Sequence, residues 1–312
     1  MFQPPEVIHA EVFARLPDTL RLTGTESEWL DKQRKSLGSA FPDHSFLEGP
    51  AFSPDGQLYC VDIPFGRILR IGEDGTFDVA LEYDGNPNGL AFHRDGRAFI
   101  ADNRRGIMVA DLAKGTIEPF VERLAMEAFK GPNDLCFSTH GDLYFTDMGQ
   151  TGLHDPSGGV YRIRADGRHD KLLGNVPGPN GIVLNANETG LFVAATRLNS
   201  IWTVPFARED MPSKVGTFLY LQGGMGPDGL ALLESGGLVV CHVGFGAVWI
   251  FSRRGEPLFR IEPPEGVMTS NLCFGIADRN KIYITESQTG CILTATLPEP
   301  GMTLFAHINA VT

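Results

Sequence analysis

GPNDLCFSTHGDLYFTDMG, residues 131–149, holds two short apolar runs joined by a turn, and it opens on a polar pair, Asn133-Asp134. A single copy would be a hairpin with turn residues at its start. The phrase returns along the chain, however. Aligned on its apolar core it reads LEGPAF from Leu47, PNGLAF from Pro87, PNDLCF from Pro132, PNGIVL from Pro179, PDGLAL from Pro227 and TSNLCF from Thr269. Each copy places an oxygen-bearing side chain in one lead position. These are Glu48, Asn88, Asn133, Asn180, Asp228 and Ser270, spaced 40, 45, 47, 48 and 42 residues apart. In the last copy the amide, Asn271, falls one position late.

A turn signal follows each copy, as in SPDG, HRDG and STHG, and a second apolar run then ends in Asp62, Asp102, Asp147, Thr196, His242 or Glu286. The distance from lead to end residue is 14 in four copies and 16 in two. A third run (GGVYRIR, NSIWTV) and a fourth, more polar one (FDVALEY, EPLFRI) close each unit. Four short strands recurring every ~40–50 residues are the signature of a propeller blade. The sequence therefore predicts an all-β fold, a six-bladed β-propeller over residues 47–312. Residues 1–46 lie outside the repeat and read as a short extension of the same domain containing one helix. Thr25 and Glu28 fit a capping box opening a helix through SEWLDKQRK. HAEVFARL reads as a strand that pairs with the last blade and closes the ring, removing two open sheet edges.

Composition agrees. The 37 Gly and 21 Pro suit a turn-rich β protein, and 42% hydrophobic residues over 312 positions allow a large core. A net charge of −12 argues against nucleic acid and against anionic membrane surfaces as partners. No apolar run approaches the ~18 residues of a membrane span. The opening MFQPPEVIHAEVFARL lacks the basic and apolar regions of a secretory signal. Five cysteines, at 60, 136, 241, 273 and 291, form no close pair and read as small buried hydrophobes in a reducing compartment, hence a cytoplasmic protein. The chain has no G-x-S-x-G nucleophile elbow.

Within a blade the first strand begins, and the antiparallel second strand ends, at one edge. The lead residues should therefore converge on the axis at one mouth of the disc. Glu48, Asn88, Asn133, Asn180 and Asp228 would form an inner ring, with Asp62, Asp102, Asp147, Thr196, His242 and Glu286 just outside it. Asn-Gly and Asp-Gly also serve as turn dipeptides, but each blade has its own hairpin turn later, and Glu48 is no turn residue. A purely structural, strand-to-strand ring is the better reading for Asn88. Two carboxylates and several amides converging without water would repel and stay partly unsatisfied. A divalent cation resolves both problems. All-oxygen ligation points to Ca²⁺ first, with Mg²⁺, Mn²⁺ or Zn²⁺ as alternatives. Glu48, Asn180 and Asp228 are the expected direct ligands, with Asn133 direct or through water.

From about Leu47 to Leu297 the chain resembles the senescence-marker-protein/gluconolactonase/luciferin-regenerating family of six-bladed propellers. The resemblance rests on LEGPAF, PNDLCFSTHGDLYFTD, GGVYRI, PNGIVL, PDGLAL and TSNLCFG with IYITE. It implies that Glu48, Asn180 and Asp228 hold the metal, that Asp228 takes part in catalysis, and that Asn133 lies near the metal. Several members carry an arginine two residues before that asparagine; this chain has Gly131, so sugar contacts known there do not carry over.

The expected function is a metal-dependent lactonase. The cation would polarise the ring-ester carbonyl and Asp228 would assist water attack, with His242 as second candidate base. Asn133, His242 and Asp147 would contact the substrate. An esterase or phosphotriesterase on the same metal, and a non-catalytic calcium-binding propeller, are the alternatives. A small lactone is the expected partner, with sugar lactones the default; the sequence is silent on oligomeric state. Loops 25–46, Leu124–Lys130, Gln150–Ser157 and Gln222–Gly226 should border the mouth. Their Trp29, Phe41, Met126, Phe129 and Met225 either select the substrate or seal the loops onto the disc.

Overall fold

Each repeat folds into one antiparallel sheet in the computed structural model, which describes residues 2–38, 41–208 and 211–308. Blade I is built from Leu47–Phe52, Leu58–Asp62, Arg67–Ile71 and Phe77–Glu82, hydrogen-bonded in chain order. Blades II to VI start at Pro87–Phe92, Pro132–Phe137, Pro179–Leu184, Gly226–Leu232 and Thr269–Phe274. Six blades result, as the period predicts.

Blade VI supplies only three strands from its own segment. Its fourth is Glu11–Arg15, antiparallel to Cys291–Thr296, so the N-terminus closes the ring as the sequence suggests. The preceding strand, Glu6–His9, adds in parallel to Pro257–Glu262 of blade V. Ala10 sits between the two strands and is buried, its N–H donating to Glu262 O at 2.9 Å. The core lies in the wedges between neighbouring blades. Between I and II it consists of Val61, Ile68, Leu90, Ile100 and Met108, all buried. Each such side chain contributes about 1.5–3 kcal/mol. The cysteines are free thiols; Cys60, Cys241, Cys273 and Cys291 are buried in these wedges and Cys136 is half-buried. No helix among the described residues is long and apolar enough to cross a membrane.

The extension carries a single helical turn, Asp18–Arg21, and a longer helix, Glu28–Leu37. Its N-cap is Ser27 rather than Thr25. Ser27 is extended and its Oγ accepts from Leu30 N–H, whereas Thr25 N–H is taken by Leu22 O in the preceding turn. The Ser27 hydroxyl also donates to Pro64 O at 3.1 Å, which ties the start of the helix to blade I. Of the expected 25–46 segment, positions 39 and 40 lie outside the described residues, as do 209, 210 and 309–312 of the expected propeller range.

Candidate functional site

The first strands do not run regularly into the axis. In blade III Pro132 pairs with Asp147, yet the next regular pair is Leu135 with Phe145. The same break in register occurs at or just after the lead residue in the other five blades. A bulge there releases the lead side chain from the alternation of the sheet. Glu48, Asn88, Asn133, Asn180 and Asp228 all line one cavity of about 1140 Å³ at one mouth of the disc. Ser270 does not reach it. It is fully buried and bonds Leu47 O, Thr285 Oγ1 and Ser287 Oγ, holding blade VI to blade I.

The floor of this cavity is electrostatically strained. Burial pushes the Glu48 carboxyl up to about 8, with Asp134 adding to it and the Gly49 N–H opposing. Burial holds Asp228 well above the usual carboxylate range, reinforced by Glu48 and Asp134; Arg197 and a hydrogen bond from Asn180 pull the other way. The Asn133 Nδ2 reaches only Met148 Sδ, at 3.5 Å, and its Oδ1 is buried without a hydrogen-bond partner. A buried orphan oxygen beside two repelling carboxylates is the condition that a hard divalent cation relieves. Among the described residues no three Asp, Glu, His or Cys side chains cluster as a metal site. The side chains that a metal would meet here are two carboxylates and amide oxygens, a chemistry that would fit Ca²⁺-type ligation better than a thiolate or imidazole centre.

One position beyond the lead, four blades carry glycine: Gly49, Gly89, Gly181 and Gly229. The other two carry Asp134 and Asn271, whose side chains fill the channel beneath the ring. A Cβ at Gly229 would stand 2.2 Å from Asn271 Oδ1, and one at Gly89 would stand 2.9 Å from Asp134 Oδ1. Asp134 accepts from Leu135 N–H at 2.8 Å, and burial pushes its carboxyl up to about 7. The second half of the Asn133-Asp134 pair thus plugs the channel. Beyond it a second cavity of about 640 Å³ opens at the opposite mouth, bordered by the C-terminal residues Met302–His307.

The outer ring expected from the sequence has another task. Asp147 accepts from Lys130 N–H and Gly131 N–H, at 3.0 and 2.7 Å. Asp62 holds Phe46 N–H, Asp102 holds Asn86 N–H and Glu286 holds Met268 N–H. Each carboxylate clasps the backbone two residues before the lead of its own blade. His242 is likewise occupied. Its Nδ1 accepts from Trp249 Nε1 at 3.2 Å, its Nε2 faces Gly223 O at 3.0 Å, and its ring stacks on Phe245. Burial lowers its pKa, consistent with a neutral ring. Neither Asp147 nor His242 lines the cavity. Of the three residues expected to contact the substrate, Asn133 lines the cavity, while Asp147 is bonded to backbone amides and His242 faces Gly223 O.

The helix Glu28–Leu37 forms one wall, with Trp29 and Leu37 beside Phe41 and Phe46. Trp29 lies 5.3 Å from Phe46 and 5.9 Å from Phe41, and the two phenyl rings stack at 5.2 Å. Of the loops expected at the mouth, Gln150–His154 and Met225 line the cavity as well, while fully exposed Met126 does not. The opposite wall is polar and includes Arg104, Lys130, Thr151 and Arg197. Arg197 carried no repeat signal in the sequence.

The family model for the SMP-30/Gluconolactonase/LRE-like region matches residues 46–288. Lactonase drp35 of Staphylococcus aureus (strain MRSA252) is 29% identical over 256 residues, covering 78% of this chain and 75% of that protein. Gluconolactonase of Zymomonas mobilis is 29% identical over 266 residues, covering 75% and 74%. The solved structure of a calcium-binding protein, regucalcin, from Agrobacterium tumefaciens str. C58 matches with a TM-score of 0.75 at 21% identity, over 96% of this chain and 98% of that one. The family match begins two residues before Glu48, leaves the N-terminal helix outside it, and takes in the lead residue of every blade. The chain belongs to the SMP-30/gluconolactonase/LRE-like family.

Proposed function

We infer that the protein is a metal-dependent hydrolase that opens a small lactone. The observation that carries this is the buried ring in which Glu48 and Asp228 meet Asn180 and the orphan Oδ1 of Asn133 at the floor of an open cavity. The lactonase and gluconolactonase relatives support the reaction class, and the calcium-binding neighbour supports Ca²⁺ as the ion. Glu48, Asn180 and Asp228 would hold one divalent cation, with Asn133 direct or through water. When bound, the cation supplies Lewis-acid polarisation of the ester carbonyl. Asp228 accepts a proton as water adds to the carbonyl carbon. The ring C–O bond then breaks, the leaving oxygen regains a proton, and a hydroxy acid results with no reactant other than water. Asn133 orients the lactone through its amide.

Metal analysis of the purified protein, with a lactone panel assayed with and without chelator, tests the reading. One equivalent of divalent ion and chelator-sensitive lactone opening, restored by Ca²⁺, are expected. Full activity in metal-free protein would end it. An aryl ester and a phosphotriester in the same panel separate the esterase and phosphotriesterase alternatives.

The apolar wall contributes to choice of substrate. Trp29 is half-buried, so its indole both anchors the helix and faces the cavity. Trp29→Ala should shift the kcat/KM ratio between an alkyl-substituted and an unsubstituted lactone by about tenfold. Equal losses for every lactone, tracking a fall in Tm, would make Trp29 a packing residue only.

A further inference from the structure

We propose that Arg197 reads a carboxylate on the substrate, so that the preferred lactone is one carrying an acidic substituent. The proposal rests on the lactonase reading and adds to it the charge of the substrate. Arg197 lies in the short turn Thr196–Leu198 that follows the second strand of blade IV, Gly190–Ala195, and its N–H is anchored on Pro177 O at 3.3 Å. Its stem passes over two glycines. A Cβ at Gly178 would stand 2.7 Å from Arg197 Cγ, and one at Gly152 would stand 3.5 Å away. The stem therefore runs where a side chain on Gly178 would block it, and Gly178, at φ +66°, sits in the backbone region that favours glycine. The guanidinium borders the cavity close enough to Asp228 to act on its charge.

The other cations of that wall are already paired. Arg104 bonds Asp84 at 2.9 Å, and Lys130 bonds Ser157 and lies 3.9 Å from Asp155. Lys32 also lines the cavity, from the helix side, but it is exposed to solvent, whereas Arg197 is half-buried. Arg197 makes no side-chain hydrogen bond and no ion pair with any described residue, in a chain with 38 acidic and 26 basic side chains. Once a divalent ion neutralises Glu48 and Asp228, the carboxylates left in the lining are Asp84, already paired with Arg104, and Glu28 on the helix, and neither forms an ion pair with Arg197. A planar, fixed fork of donors without an anion matches a carboxylate, which it binds through two parallel hydrogen bonds.

The γ-carboxylate of γ-butyrolactone and the corresponding carboxamide share a ring and differ by one charge. Wild-type protein should prefer the acid, and Arg197→Met should lower the acid-to-amide ratio of kcat/KM roughly 10- to 100-fold, mainly through KM. Arg197→Lys should restore part of it. Equal losses for acid and amide, or no preference in the wild type, would overturn the proposal. A second measurement does not depend on turnover. Tetrahydrofuran α-carboxylate, which has no ester bond, should bind the Ca²⁺-loaded wild type in calorimetry and bind Arg197→Met at least tenfold more weakly. Equal binding to both, or none to either, overturns the assignment. If calorimetry separates the two proteins while no lactone is opened, the lactonase reading fails and the assignment of Arg197 stands.

Discussion

Asp228→Asn should lower kcat for lactone opening by about 10²–10⁴-fold, the range expected for loss of a positioned general base, while the protein stays folded and retains metal. Asparagine keeps an oxygen in the same place but cannot accept the proton. The substitution also removes one of two buried carboxylates that hold each other's protons on, so folding does not suffer. Tm should hold or rise, as is common where a functional site carries electrostatic strain. The contrast with Glu48→Gln is informative, because Glu48 is assigned only a ligand role. There the loss should follow metal content and be recovered in part at high Ca²⁺. The measurements are kcat at saturating substrate, bound metal and Tm for each variant. Near-normal turnover of metal-loaded Asp228→Asn would move the base elsewhere. Asp134, which acts on Asp228 and is assigned no ligand role, would then be the candidate, since Asp147 is held by two backbone amides.

The fold was legible because a propeller repeats its hydrophobic pattern, and the blades' apolar cores align on one another without any tertiary information. The inner ring was legible for a related reason: a polar side chain directly before a buried strand, five times in register, has few structural uses. The outer ring shared that regularity and misled. Asp147 recurs with Asp62, Asp102 and Glu286 because in four blades a carboxylate fastens the chain that enters the blade, and His242 stands at the corresponding place with Gly223 O and Trp249 as its partners. Sequence spacing alone does not separate a clasp from a site. The distinguishing fact is the partner, and backbone N–H groups such as that of Gly131 leave no mark in sequence. Asp134 could have been found, since it and Asn271 break a run of glycines at the position after the lead. Arg197 could not, for the role proposed for it rests on the two glycines beneath its stem and on its forming no ion pair with any described residue. The helix Glu28–Leu37 is legible in the sequence, but its capping-box pattern points to Thr25, with Glu28 three residues later; Ser27, bonded on to Pro64 of blade I, takes the role through a tertiary contact.

Asp62→Ala should destabilise the protein by about 3–5 kcal/mol, the usual result of leaving one member of a buried ion pair alone. Asp62 is fully buried and Arg67 is 3% exposed. One carboxylate oxygen accepts from Phe46 N–H at 2.9 Å; the other accepts from Arg67 Nε at 2.9 Å and from Arg67 Nη2. Burial alone pushes the Asp62 carboxyl up, and the facing guanidinium opposes it. With three acceptor contacts and a cation, the ionised form is the one that fits. The same guanidinium donates to Leu20 O at 2.7 Å and Ser45 Oγ at 3.0 Å, so the cluster fastens the one-turn helix of the N-terminal extension to blade I. Removing the carboxylate leaves a charge in the interior with only neutral partners. Replacing both residues by apolar ones, Asp62→Leu with Arg67→Met, should recover much of the loss, because neither charge is then stranded. Urea unfolding of the two single variants and the double variant measures the coupling. A loss below about 1 kcal/mol for Asp62→Ala would mean that water reaches the site and the pair behaves as a surface one. The effect extends to the candidate site, since Phe46 stands two residues before Glu48 and stacks on Phe41 beside Trp29. Asp62→Ala should therefore also weaken metal binding under conditions where the protein is still folded, a loss that a remote core cavity of equal energetic cost would not produce.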